Sequence, residues 1–156
     1  MTGRMYSISF ADVSVAASQD LINITATANM AFKIHRVELG QRSLTAWESK
    51  PVKLIRLPAT VTAGSGGSAV TPAKMNNGDV AATVTSRSND TTPASTGGTA
   101  ATLMARDWEF LNGFLVVFTP DERPVIAPSQ AVQLSLPTAP SGATLVSGTV
   151  LIEELF

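Results

Sequence analysis

Apolar and polar residues alternate with a period of two along much of this chain, and no stretch sustains the 3.6-residue period of an amphipathic helix. Tyr6, Ile8 and Phe10 alternate with Ser7 and Ser9, and Val13 and Val15 extend the run. Ile22, Ile24 and Ala26 alternate with Asn23, Thr25 and Thr27. Phe32 and Ile34 then give way to Val37 and Leu39, so the buried parity flips at His35-Arg36, which predicts a β-bulge or a change of sheet there. The same slip appears between Leu54 and Ile55, ahead of Leu57, Ala59 and Val61.

Between these runs, Gln41 to Ser49 reads as a turn or one helical turn carrying Trp47. Val80 to Ser86 reads as a strand. Leu103–Phe110 and Phe114–Thr119 flank Asn112-Gly113, a strong hairpin signal. Val132, Leu134 and Leu136 alternate up to Pro137, and Ala143–Glu154 forms a last strand with Val146, Val150 and Ile152 on one face. Roughly eight to ten short strands with frequent turn signals predict an all-β fold, an antiparallel β-sandwich or jelly roll. Pro58 falls inside an apolar run, which places that strand at an edge or at a bulge.

Two stretches lack this patterning. Gly64–Ser68 has linker composition, and Ser86–Thr99 is dominated by Ser, Thr, Asn, Pro and Gly. Strands needed to complete the sandwich lie on both sides of each, so residues 1–156 read as one domain with mobile loops at about 63–78 and 86–99.

Composition narrows the function. With 11 basic and 12 acidic residues the net charge is −1, and the basic residues are scattered singly, so there is no basic field for nucleic acid. The absence of cysteine excludes disulfides, thiolate metal sites and a Cys nucleophile. The N-terminal residues run straight into a strand pattern without the apolar block of a signal peptide, and the longest block of large apolar residues, Phe114–Phe118, is too short to span a bilayer. No nucleic-acid or membrane partner is expected.

Candidate chemistry is sparse. His35 is the only histidine, so any Ser-His-Asp arrangement needs it, and no Gly-x-Ser-x-Gly elbow accompanies it. It reads as a strand histidine at a bulge. Gly64–Ser68 lacks the Gly-Lys-Ser/Thr and the helix of a phosphate loop. Asp121-Glu122 sit in a proline-bounded turn, and the adjacent Glu153 and Glu154 point to opposite faces of a strand, so both pairs read as solvated charges. Trp47, Trp108 and Tyr6 are possible sugar-stacking groups, with Trp108 more simply core because it alternates with Phe110. No catalytic residue, metal ligand or cofactor is predicted, and the chain reads as a non-enzyme.

The order of features carries a resemblance. Tyr6–Phe10 opens the chain, followed by Lys33–Gly40, Gly64–Ser68, Asn77–Ala81, Asn89–Thr92, Thr96–Thr99 and Arg123–Ser129, with Ser147–Glu154 at the end. Together these resemble small uncharacterised virion structural proteins of tailed phages and prophages. The resemblance implies a capsid decoration or cement protein, assembled in the host cytoplasm and resident on the virion. It implies the major capsid protein or another virion subunit as partner, and self-association, as a trimer rather than a dimer. The expected partner contacts are Tyr6, Ser65, Asn76, Asn77, Asn89, Thr91 and Thr92. The alternative is a carbohydrate- or receptor-binding β module of a phage fibre or tail.

Overall fold

The computed structural model describes residues 3–44 and 46–155. Its strands, in chain order, begin with β1 (Arg4–Val15), β2 (Gln19–Thr25), β3 (Ala31–Gln41), β4 (Ser49–Leu57), β5 (Val61–Thr62), β6 (Ser68–Val70) and β7 (Ala73–Lys74). They continue with β8 (Thr85–Asp90), β9 (Ser95–Thr96), β10 (Ala101–Glu109), β11 (Phe114–Val117), β12 (Val125–Ile126), β13 (Ala131–Leu136) and β14 (Thr144–Leu155). No helix interrupts them among the described residues.

The strands form an antiparallel β-sandwich. The first sheet has the order β11-β3-β14-β1-β7, with β12 also paired to β3, and the second has the order β10-β4-β13-β2-β8-β6. A ribbon of β5 and β9 stands apart. Tyr6, Ile8, Ile34, Val37, Val150 and Ile152 from the first sheet meet Ile22, Ile24, Val52, Leu54, Val132 and Leu134 from the second in one core. Burial of each large side chain contributes roughly 1.5–3 kcal/mol, which makes this cluster the main source of stability.

The parity flip in β3 is a bulge. Arg36 lies opposite Leu151 and Ile34 opposite Ile152, so His35 is the extra residue. The flip in β4 has a different cause. β4 pairs with β13 without a register shift, and the irregularity lies on β10, around Leu103. Leu57 is buried on the outer face instead, in a small cluster with Ala94 and Ala131. Both faces of the sheet are covered at that end, so alternation fails without a bulge. Pro58 follows the last residue of β4, an interior strand, and simply ends it.

Asn112-Gly113 does not make a hairpin of paired strands. β10 pairs with β4 and β11 with β3, so the chain crosses from the second sheet to the first. Neither Asn112 nor Gly113 has the positive φ that a two-residue hairpin turn of this type requires. Instead the Trp108 indole Nε1–H donates to the Asn112 carbonyl at 2.9 Å. Trp108 packs edge-on against both Phe110 and Phe114, and all three rings are buried at the corner.

The stretches expected as loops contain strands. Val80 is exposed and outside any strand, whereas the polar run Thr85–Asp90 is β8, paired with β2 on one side and β6 on the other. Hydrogen bonding takes the place of apolar packing here: Ser86 Oγ donates to the Val70 carbonyl at 2.7 Å, and Ser88, Asn89 and Asp90 are buried beside it. β6, β7 and β8 thereby close one side of the sandwich, and β10 and β11 form the opposite edges.

Candidate functional site

Buried carboxylates hold the long connections in place. Glu154, fully buried at the end of β14, accepts the Thr83 N–H at 2.6 Å, the Thr83 hydroxyl at 2.8 Å and the Val84 N–H at 3.0 Å through one oxygen. That fixes the path from β7 to β8. Asp90 Oδ1 accepts the Gly67 N–H at 3.1 Å, and the Arg87 guanidinium binds both oxygens of Asp90 at 2.8–3.1 Å. Asp20, also fully buried, accepts the Ala94 N–H at 2.8 Å and so clamps the β8–β9 connection onto β2. The Gln133 amide nitrogen, turned towards that connection, reaches Asp20 Oδ2 at 3.2 Å and the Ala94 carbonyl at 3.1 Å. Burial pushes the Asp20 carboxyl up to about 6, opposed by the Ala94 N–H and reinforced by the Asp90 charge.

These clamps sort the residues expected to touch a partner. Tyr6 is fully buried in the core, its hydroxyl donating to the Val80 carbonyl at 3.1 Å, so it has no surface to offer. Asn89 is buried too, with left-handed backbone and its Oδ1 accepting from Gln19 Nε2 at 3.0 Å. The other five are exposed. Ser65 and Thr92 face each other through two backbone hydrogen bonds of 3.0 Å, with Thr91 adjacent. Asn76 and Asn77 lie apart from them on the β7–β8 connection, where Asn76 Oδ1 accepts the Gly78 N–H at 3.1 Å. The structure therefore brings together Ser65, Thr91 and Thr92 on the surface, with the buried Asn89 lining the same hollow as Thr91. Beside Thr91, an open hollow of about 260 Å³ is lined by Ser14, Gln19, Ser68, Ser88 and Asn89 among others. Its hydroxyl and carboxamide lining offers hydrogen bonds but no charge.

His35 sits at its bulge with Nε2 2.7 Å from Glu153 Oε2, and Lys33 Nζ is 3.2 Å from the same oxygen. Glu153 Oε1 accepts the Gly3 N–H at 2.8 Å. Burial raises the Glu153 carboxyl, but the His35, Gly3 and Lys33 contacts outweigh it and hold it below the ordinary carboxylate value. Glu153 and Glu154 point to opposite faces, yet both are buried and partnered, contrary to their reading as solvated charges. Sequence parity contained the signal for Glu154: it continues the inward series Val150, Ile152. Asp20 shares the parity of Ile22 and Ile24, but the register shift at Leu21 interrupts that series, and no such signal marked Asp90. Among the described residues no group of three or more His, Cys, Asp or Glu side chains is placed to hold a metal ion.

Of the exposed large apolar side chains, two groups bear on binding. Trp47 is 71% exposed on the β3–β4 connection, unlike Trp108. The outer face of the first sheet carries Leu115 and Val117, 56% and 64% exposed, on its edge strand. They stand beside Glu38 and Arg36 respectively in the β11–β3 ladder. Comparisons with protein-family models, with curated proteins and with solved structures give no match.

Proposed function

We propose that this chain is a virion structural subunit, a decoration or cement protein that binds a coat lattice and self-associates. The observation that carries the reading is strand order. Within the two sheets, β1, β2, β3, β4, β10, β11, β13 and β14 follow the orders β11-β3-β14-β1 and β10-β4-β13-β2. Successive strands of this set cross between the sheets at every step but β4 to β10. That order supports a jelly roll, an architecture shared by viral capsid and lectin domains. The fold alone is an analogy. The surface adds to it: the Ser65–Thr92 bridge and Thr91 form an exposed, uncharged surface, tied to the second sheet through Asp20 and Asp90, that can be presented to a lattice.

Co-sedimentation with the particles encoded in the same gene cluster tests this directly. The expected result is saturable binding, weakened at least tenfold by Thr91→Arg/Thr92→Arg with the circular-dichroism spectrum unchanged. No binding of the wild-type chain to intact particles overturns the proposal. A second reading, glycan binding by a fibre or tail module, is favoured by the exposure of Trp47. Glycan-array signal that disappears in Trp47→Ala supports it; an array without signal removes it.

A further inference from the structure

The outer face of the first sheet has a pattern that matches itself. Cross-strand partners share a face, and two rows run across this one. Leu115, Glu38, Thr149 and Ser9 form the first row, and Val117, Arg36, Leu151 and Ser7 form the second. Arg36 and Glu38 both point away from the core, because Val37 between them is fully buried. Leu115, Val117 and the partly buried Leu151 flank this pair with apolar surface. The next row beyond Arg36 carries Lys33 and Met5 against Glu153, whereas the face beyond Glu38 is low. Gly40 and Gly113 face open space, and Ser7, Ser9, Ser147 and Thr149 are small, so a second flat surface can approach.

The charges are under-used within the chain. Arg36 Nη2 is 3.6 Å from Glu38 Oε2, beyond hydrogen-bond distance, and the Arg36 side chain is 43% exposed. A guanidinium with five N–H donors has capacity for a second carboxylate.

We infer that this face is a two-fold contact with a second copy of the same chain. Rotation about an axis lying in the interface, perpendicular to β3 and passing over Val37, exchanges the two rows. Arg36 then faces the partner's Glu38 and Glu38 faces the partner's Arg36, while Leu115 meets the partner's Val117 and Thr149 meets the partner's Leu151. An isologous interface demands this reciprocity, and an alternating Arg/Glu pair provides it. The contact rests on the self-association in the proposed function and not on the coat lattice. It differs from the expected trimer, since a two-fold gives a dimer, or a higher assembly built from dimers.

The test is sedimentation equilibrium of the purified full chain without particles. Wild type is expected to contain a dimer, and Arg36→Glu and Glu38→Arg each to weaken it at least tenfold by setting like charges face to face. Mixing the two variants is the decisive arm. One protomer then presents two carboxylates and the other two guanidinium groups, and association is expected to return as a mixed dimer. Val117→Asp, which leaves the charges alone, is also expected to dissociate it. A wild-type chain that stays monomeric at high concentration overturns the inference, as does a mixture no more associated than its components. Particle co-sedimentation of the monomeric variants separates the two proposals: retained binding leaves the coat reading standing whatever the outcome here.

Discussion

Asp20 and Asp90 lie directly opposite each other in the β2–β8 ladder, both buried, and the Arg87 guanidinium binds Asp90. The pair is therefore asymmetric. Asp90 is compensated by a cation at 2.8 Å, whereas Asp20 is held by the Ala94 N–H and its Oδ1 has no hydrogen-bond partner. Each clamps a different connection, so the chemistry of two facing acids decides how firmly one corner of the sandwich is closed.

The first prediction follows from the direction of the Asp20 shift, from an ordinary 3.8 to about 6, caused by burial first. A carboxyl that holds its proton more tightly when folded costs nothing where both states are protonated and most where both are ionised. The Asp20 contribution is therefore most favourable below about pH 4 and worsens as pH rises through about 6, by an amount on the order of 3 kcal/mol. Asp20→Asn keeps an acceptor for the Ala94 N–H and removes the charge. Urea unfolding is expected to show this variant more stable than wild type at pH 7.5, with the difference closing as pH falls below 4. A loss at pH 7.5 counts against the assignment.

Glu153 has the opposite sign. Burial raises its carboxyl, but its three donors outweigh that and leave it below the ordinary 4.5. Its contribution is present above that value and disappears as pH falls through the lowered folded one. Glu153→Gln is expected to destabilise at pH 7 and to converge on wild type in strong acid. His35→Ala, which removes the closest donor, is expected to reduce thermal stability while leaving particle binding unchanged. Loss of binding with the fold intact would give His35 a direct role.

Glu154→Ala tests the clamp on the β7–β8 connection. It removes the acceptor of two backbone N–H groups and one hydroxyl; Thr83 is exposed and can turn to water, whereas the Val84 N–H is buried, and an unsatisfied buried donor costs about 1–3 kcal/mol. The expected loss is about 1–3 kcal/mol, with hydrogen-exchange protection at Thr83 and Val84 falling further than at Val150. Uniform loss of protection across both sheets would mean that Glu154 supports the whole core instead.

Gly67→Ala probes how closely β6 lies on β8. A Cβ at Gly67 would stand 2.0 Å from the Ser88 carbonyl oxygen and 2.6 Å from Asn89 backbone atoms, which do not move without breaking the ladder. Overpacking of this kind costs about 1–3 kcal/mol. Gly113→Ala, which meets open space, serves as the control and is expected to be near neutral. Equal effects in the two variants would show that β6 is not seated on β8 as described.

Much of the architecture was legible because period-two alternation is imposed by the strand itself. Tyr6, Ile8 and Phe10 face the core as their spacing requires, and the slip at His35-Arg36 is a bulge. The alternation fails as a guide where packing is not one-sided or not apolar. β13 is buried on both faces, and β8 is seated through Ser, Asn and Asp side chains that composition assigns to a loop. The knob at Ser65 and Thr92 was visible only as turn-forming residues. That these two segments meet depends on pairing between stretches 27 positions apart, from 65 to 92.

By itself the sequence determined the all-β character, the inward face of one-sided strands such as β1, β3 and β14, and the absence of thiol chemistry, since these follow from local spacing and residue type. Tertiary structure alone decided which sheet each strand joins, because side-chain parity says which face is buried but not which neighbour supplies the hydrogen bonds. It also decided that Asn112-Gly113 is a corner between sheets, where the Trp108 indole replaces a hairpin's ladder. Finally, it turned three carboxylates into clamps: an acid becomes an anchor only when burial removes water and a connection brings N–H groups to it, and neither condition can be read from the acid's own position in the chain.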